Sequence, residues 1–390
     1  MKRIQKNLLI GRLRLECCGY FFITIKSDTL VAHSSVFGYI LSGSFYVPTK
    51  TTNSGAQFCC LNVKDEDLHK FWDLETIGIK KNEIHLLTDN PTIKEFIDNI
   101  SFVDGHYITG LLWKKNPPKI VNNFNMVAKR TESTYNFLDK NPDLAARYEK
   151  VFNEYETDSK FVPVPEDRIQ HSDGPIFYIP HFPVIKENSE STKIRPVFDG
   201  SAKSYNNISI NDALDSGPVL HIKIFSILIR FRRWQFPIVG DLKQAFHSIF
   251  LNEKDQDVCR FIIRKQGVLS HVRFTRLPFG LKCSPFILNC VIGYHLSKYP
   301  NSNTVLELKQ NFYVDDFLSG ADSQEDAIHM KNEATKIMQE GGFTLTKWQS
   351  KDITFGETDV SYVLGLCFNI QEDIFLFKGF QSNDIPLKFT

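Results

Sequence analysis

No charge of one sign dominates this chain: 46 Lys and Arg stand against 45 Asp and Glu in 390 residues. That balance excludes the global basic surface that marks many nucleic-acid binders, so any such surface must be a local patch. The segment Gly217 to Pro237 is one candidate, with Lys223, Arg230, Arg232 and Arg233 and no acid. A solvated helix face explains that run equally well. Cysteine is scarce and unpatterned. The eight occur as Cys17-Cys18, Cys59-Cys60 and four singles, with no C-x-x-C spacing. This excludes the common zinc and dithiol motifs and predicts reduced thiols. Long apolar runs are missing too. The longest nearly apolar stretch, Cys17 to Ile25, is far too short to cross a bilayer. The basic N-terminus is broken by Arg12, Arg14 and Glu16 and makes a poor signal peptide. Together these absences predict a soluble, intracellular protein with no membrane partner.

What is present is an ordinary globular composition, 42% hydrophobic and 23% charged, at a length that suggests two or three domains. Residues 1–48 read as strands, rich in β-branched and aromatic residues and punctuated by glycine. Residues 49–56 have linker composition. Asp104-Gly105 predicts a hairpin turn, and residues 141–156 an amphipathic helix carrying Leu144, Tyr148, Val151 and Tyr155 at helical spacing. Strands are expected from Val162 to about Pro196. Further on, Ser323 followed by Asp326 predicts a capped helix start, and Gly341-Gly342 its stop. The local order around this helix is strand, acidic turn, strand, helix, strand, which suits a sheet with helices on one face.

The acidic turn is Asp315-Asp316, set between "NFYV" and "FLSG". Alone, an Asp-Asp pair also fits a solvent-exposed turn. Two adjacent ionised carboxylates repel each other, and a hard divalent cation such as Mg²⁺ removes the conflict while leaving positions for water and phosphate. Two such ions can serve phosphoryl transfer, but they need a further carboxylate. Asp241 is the candidate: the short strand Pro237–Gly240 is expected to end there, with Gly240 permitting a tight turn. Between the two sites, "LPFGLKCSP" reads as an irregular loop opening a helix near Ser284, where phosphate binding or close packing is possible.

The ordered blocks "DLKQAF", "LPFGLKCSP" and "YVDD" resemble the palm of a reverse transcriptase. The flanks "TKIRPVFDGSAKSYNNISINDAL", "FSILIRFR", "FYVDDFLSGADSQEDA" and "GGFTLTKWQS" resemble the polymerase of BEL/Pao-type long-terminal-repeat retrotransposons, and "HKFWDLETIGI" and "VNNFNMVAKR" its connecting region. The strand-rich N-terminus resembles the tail of the retroviral-type aspartic protease that precedes such polymerases. The resemblance implies an α+β, right-handed-palm polymerase of fingers and palm, with a ferredoxin-like antiparallel palm sheet. It implies a protease remnant over 1–48, a connecting region over 49–160, and fingers over 161–236. The palm with interleaved fingers follows over 237–350, then a primer-grip-like hairpin and truncated C-terminus over 351–390.

The implied activity is RNA-directed DNA polymerisation with two Mg²⁺ ions (Mn²⁺ as a substitute), a primed RNA or DNA template and deoxynucleoside triphosphates. Asp241, Asp315 and Asp316 are then the catalytic carboxylates and metal ligands, assisted by the carbonyl of Leu242. Lys193 and Arg195 would grip the triphosphate with Lys186 as a helper, and Lys347, also a nucleotide-binding candidate, would act near the leaving pyrophosphate. Phe246 would exclude a 2′-hydroxyl, Phe279 and Gly280 would line the nucleotide pocket, and Leu364, Gly365 and Leu366 would form the primer grip. The absence of a thumb and ribonuclease H block after Thr390 leaves a second reading open, a non-catalytic relic or domesticated nucleic-acid-binding module. A third, an aspartic peptidase using Asp215-Ser216-Gly217, is disfavoured because that tripeptide lies inside the polymerase block. The expected setting is the element's cytoplasmic particle or the nucleus.

Overall fold

Residue types fix the local elements, and the sheets then join segments that are distant in sequence. The computed structural model describes residues 24–26, 30–35, 38–43, 90–186, 193–220, 222–351, 353, 360–364, 366–369 and 374–376. The backbone of β1 (Thr24–Lys26), β2 (Leu30–Ser35) and β3 (Gly38–Gly43) forms a three-stranded antiparallel sheet. The linker expected over 49–56 lies outside the described residues. Helix α1 (Pro91–Asp98) starts with Pro91 in its first turn, and the Asn90 side chain accepts from the Thr92 N–H at 2.9 Å.

The hairpin of β4 (Ser101–Val103) and β5 (His106–Thr109) turns where expected, with φ of 49° at Asp104 and 78° at Gly105. Helices α2 (Phe124–Leu138) and α3 (Pro142–Thr157) follow. In α3 the most buried residues are Tyr148 and Phe152, with Leu144, Val151 and Tyr155 packed around them. Strands are sparser than expected after Val162. They are β6 (Phe161–Pro163), β7 (His181–Lys186) and β8 (Lys193–Phe198), with irregular chain between β6 and β7.

Helix α4 (Ile224–Arg232) comes next, then β9 (Phe236–Leu242), β10 (Phe250–Leu251), β11 (Arg260–Lys265) and β12 (Val268–Phe274). The loop 275–283 opens α5 (Ser284–Ser297) as expected, and the Ser284 hydroxyl closes it by donating to the Pro278 carbonyl at 2.9 Å. After α5 come α6 (Asn303–Asn311), β13 (Phe312–Tyr313) and β14 (Asp316–Ala321). Helix α7 (Gln324–Glu340) is capped by Ser323, whose hydroxyl accepts from the Asp326 N–H at 3.1 Å. The described chain closes with β15 (Leu345–Ser350), β16 (Val360–Val363), β17 (Leu366–Asn369) and β18 (Ile374–Leu376).

The central sheet has the order β13-β14-β9-β15 and is antiparallel throughout. Alternation along its strands sends Ile238, Gly240 and Leu242 of β9 and Phe317 of β14 to one face. The main core, including α5 and α7, covers that face. On the other face, Val239 and Leu318 pack with Ile227 and Phe231 of α4 and Phe368 of β17. Gly240 lies within its strand rather than at a turn. A Cβ there would come within 3.1 Å of the Trp348 ring, so glycine makes room for the indole.

The chain from residue 90 onward packs into the same core as the sheet. β5 pairs in parallel with β10, and the buried Asp255 carboxylate accepts from the Leu111 N–H at 2.7 Å and the Trp113 Nε1–H at 2.8 Å. Among the described residues no helix is long and apolar enough to cross a membrane. Cys259, Cys283 and Cys290 are buried and free.

Candidate active site

Antiparallel pairing brings the acidic residues together. Asp316 at the start of β14 lies directly opposite Asp241 on β9, and Thr346 on β15 flanks Asp241 on the other side. Directly opposed residues share a face, with Cβ atoms about 4.5–5.5 Å apart. The expectation that the strand stops at Asp241 is corrected: β9 runs on through Leu242. Near the end of its strand, Asp241 is held by ladder neighbours on both sides. Asp315 is tied in by its backbone, whose carbonyl accepts from the Leu242 N–H at 2.7 Å.

The turn carrying Asp315 is strained. Val314 has φ of 56°, a left-handed conformation that a β-branched side chain rarely adopts. Such a residue persists only where its surroundings over-determine it. Burial and the adjoining carboxylates disfavour ionisation here. Asp315 is raised above the usual carboxylate range, first by burial and then by the charge of Asp241, against the opposing pull of Lys347 and Arg195. Asp316 is pushed up to about 6 by burial and then by Asp315 and Asp241, although the Leu364 N–H donates to it.

Lys347 answers part of this charge. A bulge between Thr346 and Gln349 breaks the β15 register, and Lys347 adopts φ of 52° there. Bulges re-aim side chains, and the Lys347 ammonium donates to the Asp241 carboxylate at 2.7 Å.

The nucleotide-pocket candidates lie on adjoining elements. Arg195 is exposed on β8 opposite Val184, near enough for its charge to bear on Asp315 and on Tyr155. Lys186 and Lys193 face each other at the open end of β7 and β8, while their side chains lie outside the described residues. Phe246 sits in the short 3₁₀ turn after β9, partly buried, with its ring 4.9 Å from that of Phe279. Phe279 is 40% exposed. Gly280 has φ of 89°, and a Cβ there would meet the Phe198 carbonyl at 2.0 Å, so only glycine fits this crossing of two loops. Of the expected primer-grip residues, Leu364 stands in the turn beside Asp316, Leu366 begins β17, and Gly365 lies outside the described residues.

Residues 186–364 match the family model described as reverse transcriptase (RNA-dependent DNA polymerase). The reverse transcriptase-like segment thus runs from the last residue of β7 to the turn whose N–H meets Asp316. No curated protein matches the chain. Among solved structures, a foamy viral protease-reverse transcriptase in complex with double-stranded DNA is similar at 14% identity and a TM-score of 0.40. That similarity covers 76% of this chain and 46% of the viral one, so the chain spans less than half of that protein's length.

Among the described residues no three or more His, Cys, Asp and Glu side chains converge as a ready-made metal cage. Mg²⁺ does not require one, since it takes one or two protein carboxylates and completes its shell with water and phosphate. The donor set fits that description. One carboxylate already holds an ammonium, and the two beside it are raised by burial and repulsion that a divalent cation would relieve.

Sequence reasoning missed several residues around this turn. Asn311 and Glu307 lie on α6, a helix it did not foresee, and the backbone N–H of Leu364 carries no side-chain signal at all. Arg230, read there as part of a basic run, donates to Asn311 and Gln310 behind the sheet. The peptidase-like Asp215 shows a structural role: its carboxylate accepts from the Gly217 N–H at 3.0 Å, and its own N–H donates to the Leu112 carbonyl at 2.8 Å.

Proposed function

We propose that the chain is the RNA-directed DNA polymerase region of a BEL/Pao-type retrotransposon, transferring deoxynucleotides to a primer 3′-hydroxyl by two-metal chemistry. The observation that carries this reading is the register pairing of Asp241 with Asp316 beside a backbone-anchored Asp315. The element order of the central unit, β9, α5, β13–β14, α7, β15, supports a ferredoxin-like palm. We assign residues 1–48 to the protease remnant on the resemblance of their sequence.

Asp241, Asp315 and Asp316, with the Leu242 carbonyl, would hold two Mg²⁺ ions. Bound there, the ions would lower the pKa of the primer hydroxyl and neutralise charge on the leaving pyrophosphate. The chain's own residues do the rest by position and charge, which is most of what phosphoryl transfer asks of a protein. Arg195 would meet the triphosphate with a fork suited to two phosphate oxygens, and we assign Lys186 and Lys193 the same task. Lys347, released from Asp241, can donate toward the leaving group. The Phe246 ring, backed by Phe279, closes the space a 2′-hydroxyl would need, so the product is DNA.

Primer extension on poly(rA) primed with oligo(dT), with Mg²⁺ or Mn²⁺, tests the reading. Extension by wild type and none by Asp315→Asn is expected. No extension by a wild type that still binds the primed template would replace the polymerase with a nucleic-acid-binding module.

A further inference from the structure

The Asp315–Asp316 turn combines strain, burial and like charge, so something must hold it in place. Helix α6 runs into β13 without a linker: Phe312, its C-cap, is already extended at φ −89° and ψ 132°. Asn311, fully buried as the last residue of the helix, therefore sets where the first arm of the turn begins. Its two amide atoms are both committed. The side-chain carbonyl accepts from Arg230 Nε at 2.8 Å, and the NH₂ donates to Glu307 Oε2 at 2.5 Å. The same Glu307 oxygen accepts from the Ser319 hydroxyl at 2.6 Å, and Ser319 is also fully buried, on the second arm. Arg230 Nη2 further donates to the Gln310 carbonyl, one of the last of α6, at 2.5 Å.

We propose that Arg230, Asn311, Glu307 and Ser319 form a partly buried clasp that positions the carboxylate turn, gripping the first arm at Asn311 and the second at Ser319. That this turn is the catalytic one rests on the polymerase reading above; that the clasp holds the turn does not. The charges are arranged to strengthen it. A cation on α4 and an anion on α6 lie at opposite ends of one amide, which they polarise in the same direction. The clasp joins both sides of the sheet: Ser319 shares a face with Phe317, whereas Arg230 comes from α4, which packs on the Val239 and Leu318 face. These four are positioning residues and touch no substrate.

Hydrogen exchange read by mass spectrometry on the full-length chain tests this directly. Replacing the amide by an isosteric apolar group leaves Arg230 and Glu307 without the partner between them. Asn311→Leu is therefore expected to speed exchange in peptides covering 312–318 by about ten- to a hundredfold, with the hairpin β4–β5 unchanged. Ser319→Ala removes one bond and leaves a full core, and it is expected to speed the same peptides by about three- to tenfold. If Asn311→Leu does not fold, Ser319→Ala decides alone. Exchange in 312–318 unchanged in a folded variant, or faster everywhere equally, would overturn the clasp. In primer extension Ser319→Ala should lower kcat and leave the nucleotide KM unchanged, since the clasp acts on the turn and not on the pocket. Inactivity of the wild type would count against the polymerase reading, while the exchange result would still decide the clasp.

Discussion

Around His181 the chain meets its own needs, and around Asp316 it does not. His181 is buried among the rings of Phe152, Phe198 and Phe261, yet its two nitrogens are both paired: Nδ1 with the Tyr148 hydroxyl at 2.6 Å and Nε2 with the Ile262 carbonyl at 2.7 Å. The cluster extends through Phe161 and Phe274 in edge-on and tilted contacts. Nothing there asks for an outside partner. At the carboxylate turn burial and like charge meet, one residue is strained, and Asp241 is answered by the exposed Lys347, which sits at a bulge. A region built for stability satisfies its polar groups internally. A region built to bind leaves charge uncompensated and relies on neighbours to hold it still.

Asp315→Asn should produce the largest separation between the two regions. Primer extension should fall by about a thousandfold or more, while thermal unfolding without divalent cations stays unchanged or moves upward, because a source of repulsion is gone. Phe261→Ala should do the reverse. Removing a fully buried ring from the aromatic cluster should cost about 3–5 kcal/mol in urea unfolding, with the Mg²⁺ requirement of the remaining folded protein unaltered. A matching loss of stability from both variants would erase the contrast.

A pH series sharpens it further. Burial lowers His181 to about 4 from its ordinary 6.5. The folded state therefore refuses a proton that the unfolded chain accepts. Its stabilisation is complete above pH 6.5 and is lost as pH falls toward 4, by up to about 3 kcal/mol. Urea midpoints measured from pH 7 to 4 should show this loss, and a flat profile would mean that His181 is accessible to protons when folded. The smallest effect is expected at the ring between the regions. Phe246→Ala should narrow the preference for deoxynucleotides over ribonucleotides by about ten- to a hundredfold in competing extension assays, with stability nearly untouched because Phe246 is only partly buried.

Short-range features were legible in the sequence. Asp104-Gly105 needs only its own two residues to make the turn, Ser323 and Asp326 are three apart, and the adjacency of Asp315 and Asp316 is written in the chain. Features made by distant segments were legible only where residue types carried the signal. That Asp241 would stand near the acidic turn was readable from the chemistry of a third carboxylate. That it sits near the end of its strand opposite Asp316 and beside Thr346 depends on a register no local pattern encodes. The bulge beside which Lys347 reaches Asp241, the two-residue pairing of β5 with β10, and the meeting of Arg230 with Asn311 are of the same kind. Each joins segments whose own sequences look ordinary. Helix α6 escaped because its nine residues have a mixed surface and run directly into "FYV", which reads as strand.

The central claim is that Asp241, Asp315 and Asp316 together hold divalent cations. Electron paramagnetic resonance titration of Mn²⁺ tests it most directly, with dideoxy-terminated primer on template and the next deoxynucleotide present so that no turnover occurs. Saturable binding by the wild-type chain, lost in Asp241→Asn and in Asp315→Asn, is the expected result. Equal Mn²⁺ binding by all three proteins would contradict it.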